Sequence, residues 1–294
     1  MEDLPALAQE IGALTGVRCT DVPQRSIGGG SINRCYRWLT DSGPIFVKVG
    51  PATAQPAFAA EADGLHELRA ARAVRVPEVL ATGAAGAAAF LALEWIERGR
   101  ADDACEQRLG EGLAALHSVT AARFGWRQDN TIGRTPQANA WCADWVEFFR
   151  ERRLRPQLSL AAQHGFGRLL AGRGERLLEA LPGLLAGHSP RASLLHGDLW
   201  GGNWLASVTG GPVLFDPAVY YGDREADLAM TRLFGGFGAA FYRAYEAAAP
   251  LPAGAALRTE LYNLYHVLNH ANLFGGAYGS QARGIIDRLL AQAR

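Results

Sequence analysis

The stretch Leu195-His196-Gly197-Asp198-Leu199-Trp200-Gly201-Gly202-Asn203-Trp204, followed after a turn by Val213-Leu214-Phe215-Asp216, sets out three oxygen-bearing side chains. Four residues separate Asp198 from Asn203, and Asp216 ends an apolar run that reads as a short strand. These types suit phosphoryl transfer to an alcohol. An attacking hydroxyl needs an acceptor that orients it and takes its proton, a role open to Asp198. Magnesium takes hard oxygen ligands in an octahedron and keeps some water. One carboxylate and one amide, Asp216 and Asn203, would hold such ions without overloading the site with negative charge. An Asp or Asn in a Gly-rich loop can also be a plain turn residue. All three at this spacing favour the chemical reading.

The spacing is that of the protein-kinase catalytic loop, H-R-D-x-x-x-x-N with a metal-binding Asp at a later strand end, with Gly197 in place of the Arg. Such a loop needs a nucleotide-holding element upstream. Ile27-Gly28-Gly29-Gly30-Ser31-Ile32-Asn33, alternating Cys35-Tyr36-Arg37-Trp38-Leu39, a turn at Asp41-Ser42-Gly43-Pro44 and Ile45-Phe46-Val47-Lys48-Val49 read as strand, Gly-rich turn, strand, hairpin turn, strand. Glycines at 28–30, with Ser31, let backbone N–H groups approach a triphosphate, although a triple glycine alone most often marks a flexible turn. No Walker-type G-x-x-x-x-G-K-[ST] is present.

Lys48 lies inside an apolar strand, where a charge is costly unless paired. In the next helix, about 57–72, Phe58, Glu61, Leu65 and Leu68 share one face. A Lys48–Glu61 pair would satisfy both buried charges and aim the ammonium at phosphate oxygens; the alternative is that both snorkel to solvent. Val79-Leu80 and then Phe90-Leu91-Ala92-Leu93-Glu94-Trp95-Ile96 read as strands, the second running into polar Glu97-Arg98-Gly99-Arg100. That exit is where a hinge would lie, with adenine bonded to backbone atoms within Glu94, Trp95 and Ile96. The alternative is an ordinary edge strand.

The pattern turns helical from about 103, with Leu109, Leu113 and Leu116 in a stripe and His117 beside it as a hydrogen-bonded core histidine. Residues 124–139 are dense in turn residues and read as a loop. Helices are expected at about 141–154 and 158–186, the latter with a Gly break, and near 257–273, where Leu257, Leu261, Leu264 and Leu268 form the buried face. Ala-rich 84–89 and 247–256 read as turns or linkers. Within Gly222-Asp223-Arg224-Glu225-Ala226-Asp227, Asp227 either braces the catalytic loop or complements a helix N-terminus. On the 257–273 helix, Tyr265, His266, Asn269 and His270 could line a substrate cleft or meet water.

At 294 residues and 49% hydrophobic, the chain can build two lobes around a cleft. No run approaches the roughly 18 apolar residues of a membrane span. The acidic start, Met1-Glu2-Asp3, does not open a secretory signal peptide. Formal net charge is +0, which argues against nucleic acid or an anionic membrane as the main partner. Cys19, Cys35, Cys105 and Cys142 show no zinc or C-x-x-C spacing and fit free thiols in a reducing, cytoplasmic setting. Cys35, near the Gly-rich loop, is open to oxidation, but lone cysteines are mostly small hydrophobes.

His196-Gly197-Asp198-Leu199-Trp200-Gly201-Gly202-Asn203 resembles the signature of fructosamine kinases (ketosamine-3-kinases), in the aminoglycoside phosphotransferase and choline kinase branch of the protein-kinase-like fold. The resemblance covers Gly28–Asn33, Phe58-x-x-Glu61-x-x-Gly64-Leu65, Phe124-Gly125-Trp126 with Asp129-Asn130-x-Ile132-Gly133, and Asp216-Pro217-Ala218. It continues through Tyr221-Gly222-x-x-Glu225-x-Asp227, Leu233-Phe234-Gly235-Gly236-Phe237 and Asn269-His270-x-Asn272-x-Phe274-Gly275-Gly276, so it spans about 26–290 with no catalytic position missing. It implies an α+β two-lobed fold: a small antiparallel-sheet N-lobe over 1–96 and a mainly helical C-lobe over 97–294. It implies transfer of the ATP γ-phosphate to the 3-hydroxyl of a small-molecule or protein-bound ketosamine, whose labile product regenerates the amine. Asp198 would be the base, Asn203 and Asp216 the Mg2+ ligands, Lys48 with Glu61 the phosphate clamp, and Gly28, Gly29, Gly30 and Ser31 its cover. Trp200 would stack on the substrate or pack in the core, and His270 would border the substrate. The rival readings are a kinase of another small alcohol, aminoglycoside or choline-like, and an ATP-binding regulatory module without turnover. The sequence carries no signal for oligomeric state.

Overall fold

The computed structural model describes residues 4–20, 23, 25–27 and 33–293. The expected phosphate cover, Gly28, Gly29, Gly30 and Ser31, lies outside the described residues. Helix α1 (Leu4–Thr15) precedes strands β1 (Arg25–Ile27), β2 (Arg34–Thr40) and β3 (Gly43–Pro51). Helix α2 (Gln55–Ala71) follows, then β4 (Val79–Ala85) and β5 (Ala88–Glu94). The five strands form one antiparallel sheet in the order β1-β2-β3-β5-β4.

Strand alternation decides what each face of this sheet does. Ile45, Val47 and Val49 of β3 pack with Leu7 and Ile11 of α1 and with Trp38, Phe90 and Ala92. The opposite parity turns Phe46 and Lys48 toward α2 and the interlobe cavity. Lys48 sits in the middle strand, opposite Cys35 on one side and Leu91 on the other. The Ala-rich stretch 84–89 is therefore mostly strand, not linker: only Gly86 and Ala87 form the turn, with Gly86 at φ 58°.

The remainder is mainly helical. Helix α3 (Asp103–Ser118) is capped by Asp102, which accepts from the Cys105 N–H at 2.7 Å. Strands β6 (Thr120–Ala121), β7 (Asn130–Ile132) and β8 (Thr135–Gln137) follow. The last two pair as a hairpin, so the expected loop at 124–139 carries ordered structure. Helices α4 (Trp145–Phe148), α5 (Arg155–Ala161) and α6 (Gly167–Leu170) are joined by π-helical turns at Phe149–Leu154 and Ala162–Phe166. The Gly break expected within 158–186 occurs twice, as a kink at His164–Gly165 with Gly165 at φ 93° and as a turn at 171–172 before α7 (Arg173–Leu184).

Strands β9 (Ala192–Leu195), β10 (Trp204–Ala206), β11 (Pro212–Leu214) and β12 (Tyr220–Gly222) frame the catalytic-type loop. They make a β10–β11 hairpin and a β12-β9-β6 sheet. Helices α8 (Glu225–Leu233), α9 (Ala239–Ala248), α10 (Ala255–Phe274) and α11 (Tyr278–Gln292) complete the chain. The linker expected at 247–256 shrinks to the few residues between α9 and α10. Leu261, Leu264 and Leu268 of α10 are buried as the periodicity requires. Among the described residues no helix is long and apolar enough to cross a membrane.

Candidate active site

Lys48 is the buried hub. Its Nζ donates to Glu61 Oε1 at 2.7 Å and to Asp216 Oδ1 at 2.6 Å. Burial works against the ammonium, but the Asp216 and Glu61 carboxylates outweigh it and hold the Lys48 pKa above its ordinary value. The expected Lys48–Glu61 pair is present, and Asp216 joins it from 168 residues away.

Asp216 has φ 58°, left-handed for a residue other than glycine. That backbone turn delivers its carboxylate to Lys48. Asn203, only 5% exposed, uses its amide nitrogen three times: to Asp198 O at 2.8 Å, Asp198 Oδ2 at 3.1 Å and Asp216 O at 3.4 Å. Among the described residues, the hydrogen bonds of the Asn203 side chain all use its amide nitrogen. Burial and the neighbouring Asp216 carboxylate push the Asp198 carboxyl up to about 7, against the pull of the Asn203 amide.

Asp227 settles the pose of the loop carrying Asp198. Its Oδ2 accepts the His196 N–H at 2.7 Å and its Oδ1 the Gly197 N–H at 2.8 Å. His117 Nε2 meets the same carboxylate at 3.2 Å while its Nδ1 faces the Tyr245 hydroxyl at 2.8 Å. Burial disfavours the Asp227 charge, but the His117 and Gly197 contacts hold its carboxyl below the usual range. Asp227 therefore braces the loop, and His117 is a bonded core histidine. His196 is neutral by geometry: Nε2 donates to Phe215 O at 3.0 Å, and Nδ1 accepts the Asp198 N–H at 3.3 Å. Gly197, where kinase loops carry Arg, has φ 83°, and a Cβ there would lie 2.0 Å from Ala218 O.

These groups open onto a cavity of about 480 Å³ between the sheet and the helical part. Lys48, Glu61, Asp198, Asn203 and Asp216 line one end, and Glu94, Trp95 and Ile96 line the hinge side. The Glu94 N–H already donates to Glu78 O at 2.8 Å, so an adenine contact would fall to other backbone groups of this segment. Trp200 lies at the mouth, 38% exposed, with its ring in edge contact with Phe234. The ring is thus partly exposed while one edge packs on Phe234 at the end of α8. His270 is not in the cavity wall; its ring meets Phe234 in a tilted contact, 4.7 Å between ring centroids, and its Nδ1 lies 2.8 Å from His266 O.

Asn130, Thr131 and Gly133 also line the cavity, and sequence reasoning assigned them no role. The family-like run Asp129-Asn130-x-Ile132-Gly133 was the available signal. Cys35 lines the cavity too, and burial pushes its thiol up to about 11 against the pull of Lys48. With roughly one thiol in ten thousand ionised at neutral pH, iodoacetamide should label Cys142 well before Cys35, read by peptide mass spectrometry.

The family model described as fructosamine kinase matches residues 4–292. A probable ketoamine kinase of Synechocystis is 44% identical over 288 residues, covering 97% of this chain and 96% of that protein. A crystal structure assigned as a fructosamine-3-kinase from Haemophilus somnus superposes with TM-score 0.89 at 27% identity, covering 97% of each chain. A thermostable aminoglycoside phosphotransferase, solved with AMP-PNP and hygromycin B, gives TM-score 0.60 at 17% identity over 97% of this chain and 98% of that one. At that identity the likeness concerns the fold alone: α+β, two-lobed and kinase-like. The sheet-borne lysine, the braced Asp198 loop and matches along nearly the whole length agree, and the chain belongs to the fructosamine kinase family.

Proposed function

We propose that this chain transfers the γ-phosphoryl group of ATP to the 3-hydroxyl of a ketosamine, starting the release of a glycated amine. One observation carries the reading. Lys48, Glu61, Asp198, Asn203 and Asp216, brought from four separate segments, converge at one end of a single nucleotide-sized cavity. We take 1–96 as the nucleotide lobe and 97–294 as the catalytic lobe, hinged at Glu94–Ile96. The four free cysteines support a reducing, cytoplasmic setting.

Lys48 binds phosphate oxygens, and Glu61 keeps its ammonium aimed across the cleft. Mg2+ fits the donor set, because the Asn203 amide oxygen and the second Asp216 carboxylate oxygen are not used by the bonds above. A bound Mg2+ would neutralise charge on the phosphoryl group in transfer. Asp198 orients the sugar hydroxyl and takes its proton; a carboxyl poised near 7 suits a general base at neutral pH. Asp227 and Gly197 fix that carboxylate, and Trp200 offers a ring face to the substrate at the cavity mouth.

The test is a phosphorylation screen of fructosyl-lysine, ribulosyl-lysine, a glycated protein, aminoglycosides and choline, with the modified position read by NMR. The expected product is a ketosamine 3-phosphate. Turnover confined to aminoglycosides or choline would overturn the assignment. Trp200→Ala should raise the ketosamine KM by about three- to tenfold with the ATP KM unchanged, since it removes one stacking face.

A further inference from the structure

The segment 124–139 is more than a connection. Its backbone is clasped at both ends: Gly125 and Tyr221 exchange N–H bonds at 2.8 and 2.9 Å, and the Trp126 N–H donates to Asn139 O at 2.8 Å. On one side it reaches α2, which carries Glu61. Gln128 Nε2 donates to Asp63 Oδ2 at 2.9 Å, and Arg127 approaches the same carboxylate at 3.3 Å.

On the other side a chain of buried amides runs to the backbone just after Asp216. Its direction is set by Arg153, which is fully buried and can only donate. Arg153 Nη2 donates to Asn139 Oδ1 at 2.7 Å, so Asn139 Nδ2 must face Asn130 Oδ1, at 2.8 Å. Asn130 Nδ2 then donates to Val219 O at 2.8 Å. Gln137 Nε2 donates to both Asn130 Oδ1 at 2.8 Å and Ala218 O at 3.1 Å, while its Oε1 accepts the Tyr265 O–H at 2.7 Å. No amide in the chain can flip without setting two donors or two acceptors against each other. The carbonyls it holds lie two and three residues beyond Asp216, whose left-handed backbone costs roughly 1–2 kcal/mol and persists only if its surroundings fix it.

We propose that residues 124–139 form a strut that sets Asp216 opposite Lys48 and Glu61, with Gln137 and Asn130 as positioning residues. The inference rests on the reading of Asp216 as metal and phosphate partner. It makes the phosphate half of the site preassembled: α2 and the 216–219 backbone are tied to one body rather than brought together by an activating event.

Gln137 is 1% exposed and does not line the cavity, so it acts only through its neighbours. The test compares wild type, Gln137→Leu and Gln128→Ala; the last replaces a half-buried side chain and keeps the comparison open if the first folds poorly. Gln137→Leu should speed amide hydrogen exchange at Ala218 about tenfold or more. It should raise the half-saturating Mg2+ concentration about three- to tenfold, leaving the ketosamine KM within about twofold. The Mg2+-dependent rise in Tm with AMP-PNP should shrink in parallel. Gln128→Ala should shift the same readouts about twofold. Variants that melt earlier yet keep wild-type exchange at Ala218 and wild-type Mg2+ dependence would overturn the strut. A wild type without Mg2+-dependent AMP-PNP stabilisation would instead sink the functional reading, while exchange at Ala218 would still report on the strut.

Discussion

Asp198→Asn is expected to lower kcat by roughly 10²–10⁴-fold, with the KM for ATP held within about threefold. The substitution is isosteric. It keeps an oxygen for the Asn203 amide, which lies 3.1 Å from Asp198 Oδ2, but removes the group that can accept a proton. The loss should therefore fall on the chemical step and not on nucleotide binding. Steady-state ADP release with fructosyl-lysine measures it. Equal ATP consumption by wild type and Asp198→Ala would end the assignment of the base and favour an ATP-binding module without turnover.

The same substitution should change stability in the opposite direction. Burial and Asp216 raise the Asp198 carboxyl from its ordinary value of 3.8 to about 7 in the folded chain. The native state then binds more protons than the unfolded state between those values, so wild type loses stability as pH rises through that window. In metal-free buffer Asp198→Asn should melt higher than wild type at pH 8, and by a smaller margin at pH 5. A carboxylate retained at such a cost is what a site that gives up stability for function looks like.

Much of this site was legible because buried charge must be paired. Strand parity turned Lys48 away from the α1 face, helical period put Glu61 on the buried stripe of α2, and the two meet at 2.7 Å. Nothing in local pattern could bring Asp216 to the same ammonium across 168 residues. Strands β2 and β3, of seven and nine residues, were readable from alternation and turn chemistry, whereas the ends of β4 and β5 that meet at the Ala-rich 84–89 were not. Strands β6, β7, β8 and β12, of two or three residues, are too short for any period to show. The hairpin at 130–137 was hidden for a second reason. Its Asn and Gln residues look like turn formers, yet they are buried because their amides serve the Ala218 and Val219 carbonyls. The replacement of Arg by Gly197 also had no sequence explanation; the close approach of Ala218 O supplies one. Helix ends between 141 and 186 were displaced because a π-helical turn carries the chain through Phe149–Leu154 without a break, while Ala162–Phe166 is kinked at His164 and Gly165.

Asp227→Ala is expected to cost about 3–5 kcal/mol of stability, since it strips the partner from several buried donors at once. Asp227 is 1% exposed and accepts from the His196 and Gly197 N–H groups and from His117. Each of those buried donors would lose its partner, at about 1–3 kcal/mol apiece, with partial relaxation reducing the sum. For a chain of this size that is a fall in Tm of about 5–8 °C, measurable by calorimetry. Activity should fall with it even below the new Tm, because the two N–H groups belong to the loop that carries Asp198. Asp227→Asn is the discriminating companion. Its amide can still accept one N–H but must point its own hydrogens at the other, so it should recover part of the lost stability and little of the rate. Full recovery of rate by Asp227→Asn would show that Asp227 only fills space beneath the loop, and that the Asp198 carboxylate is positioned by something else.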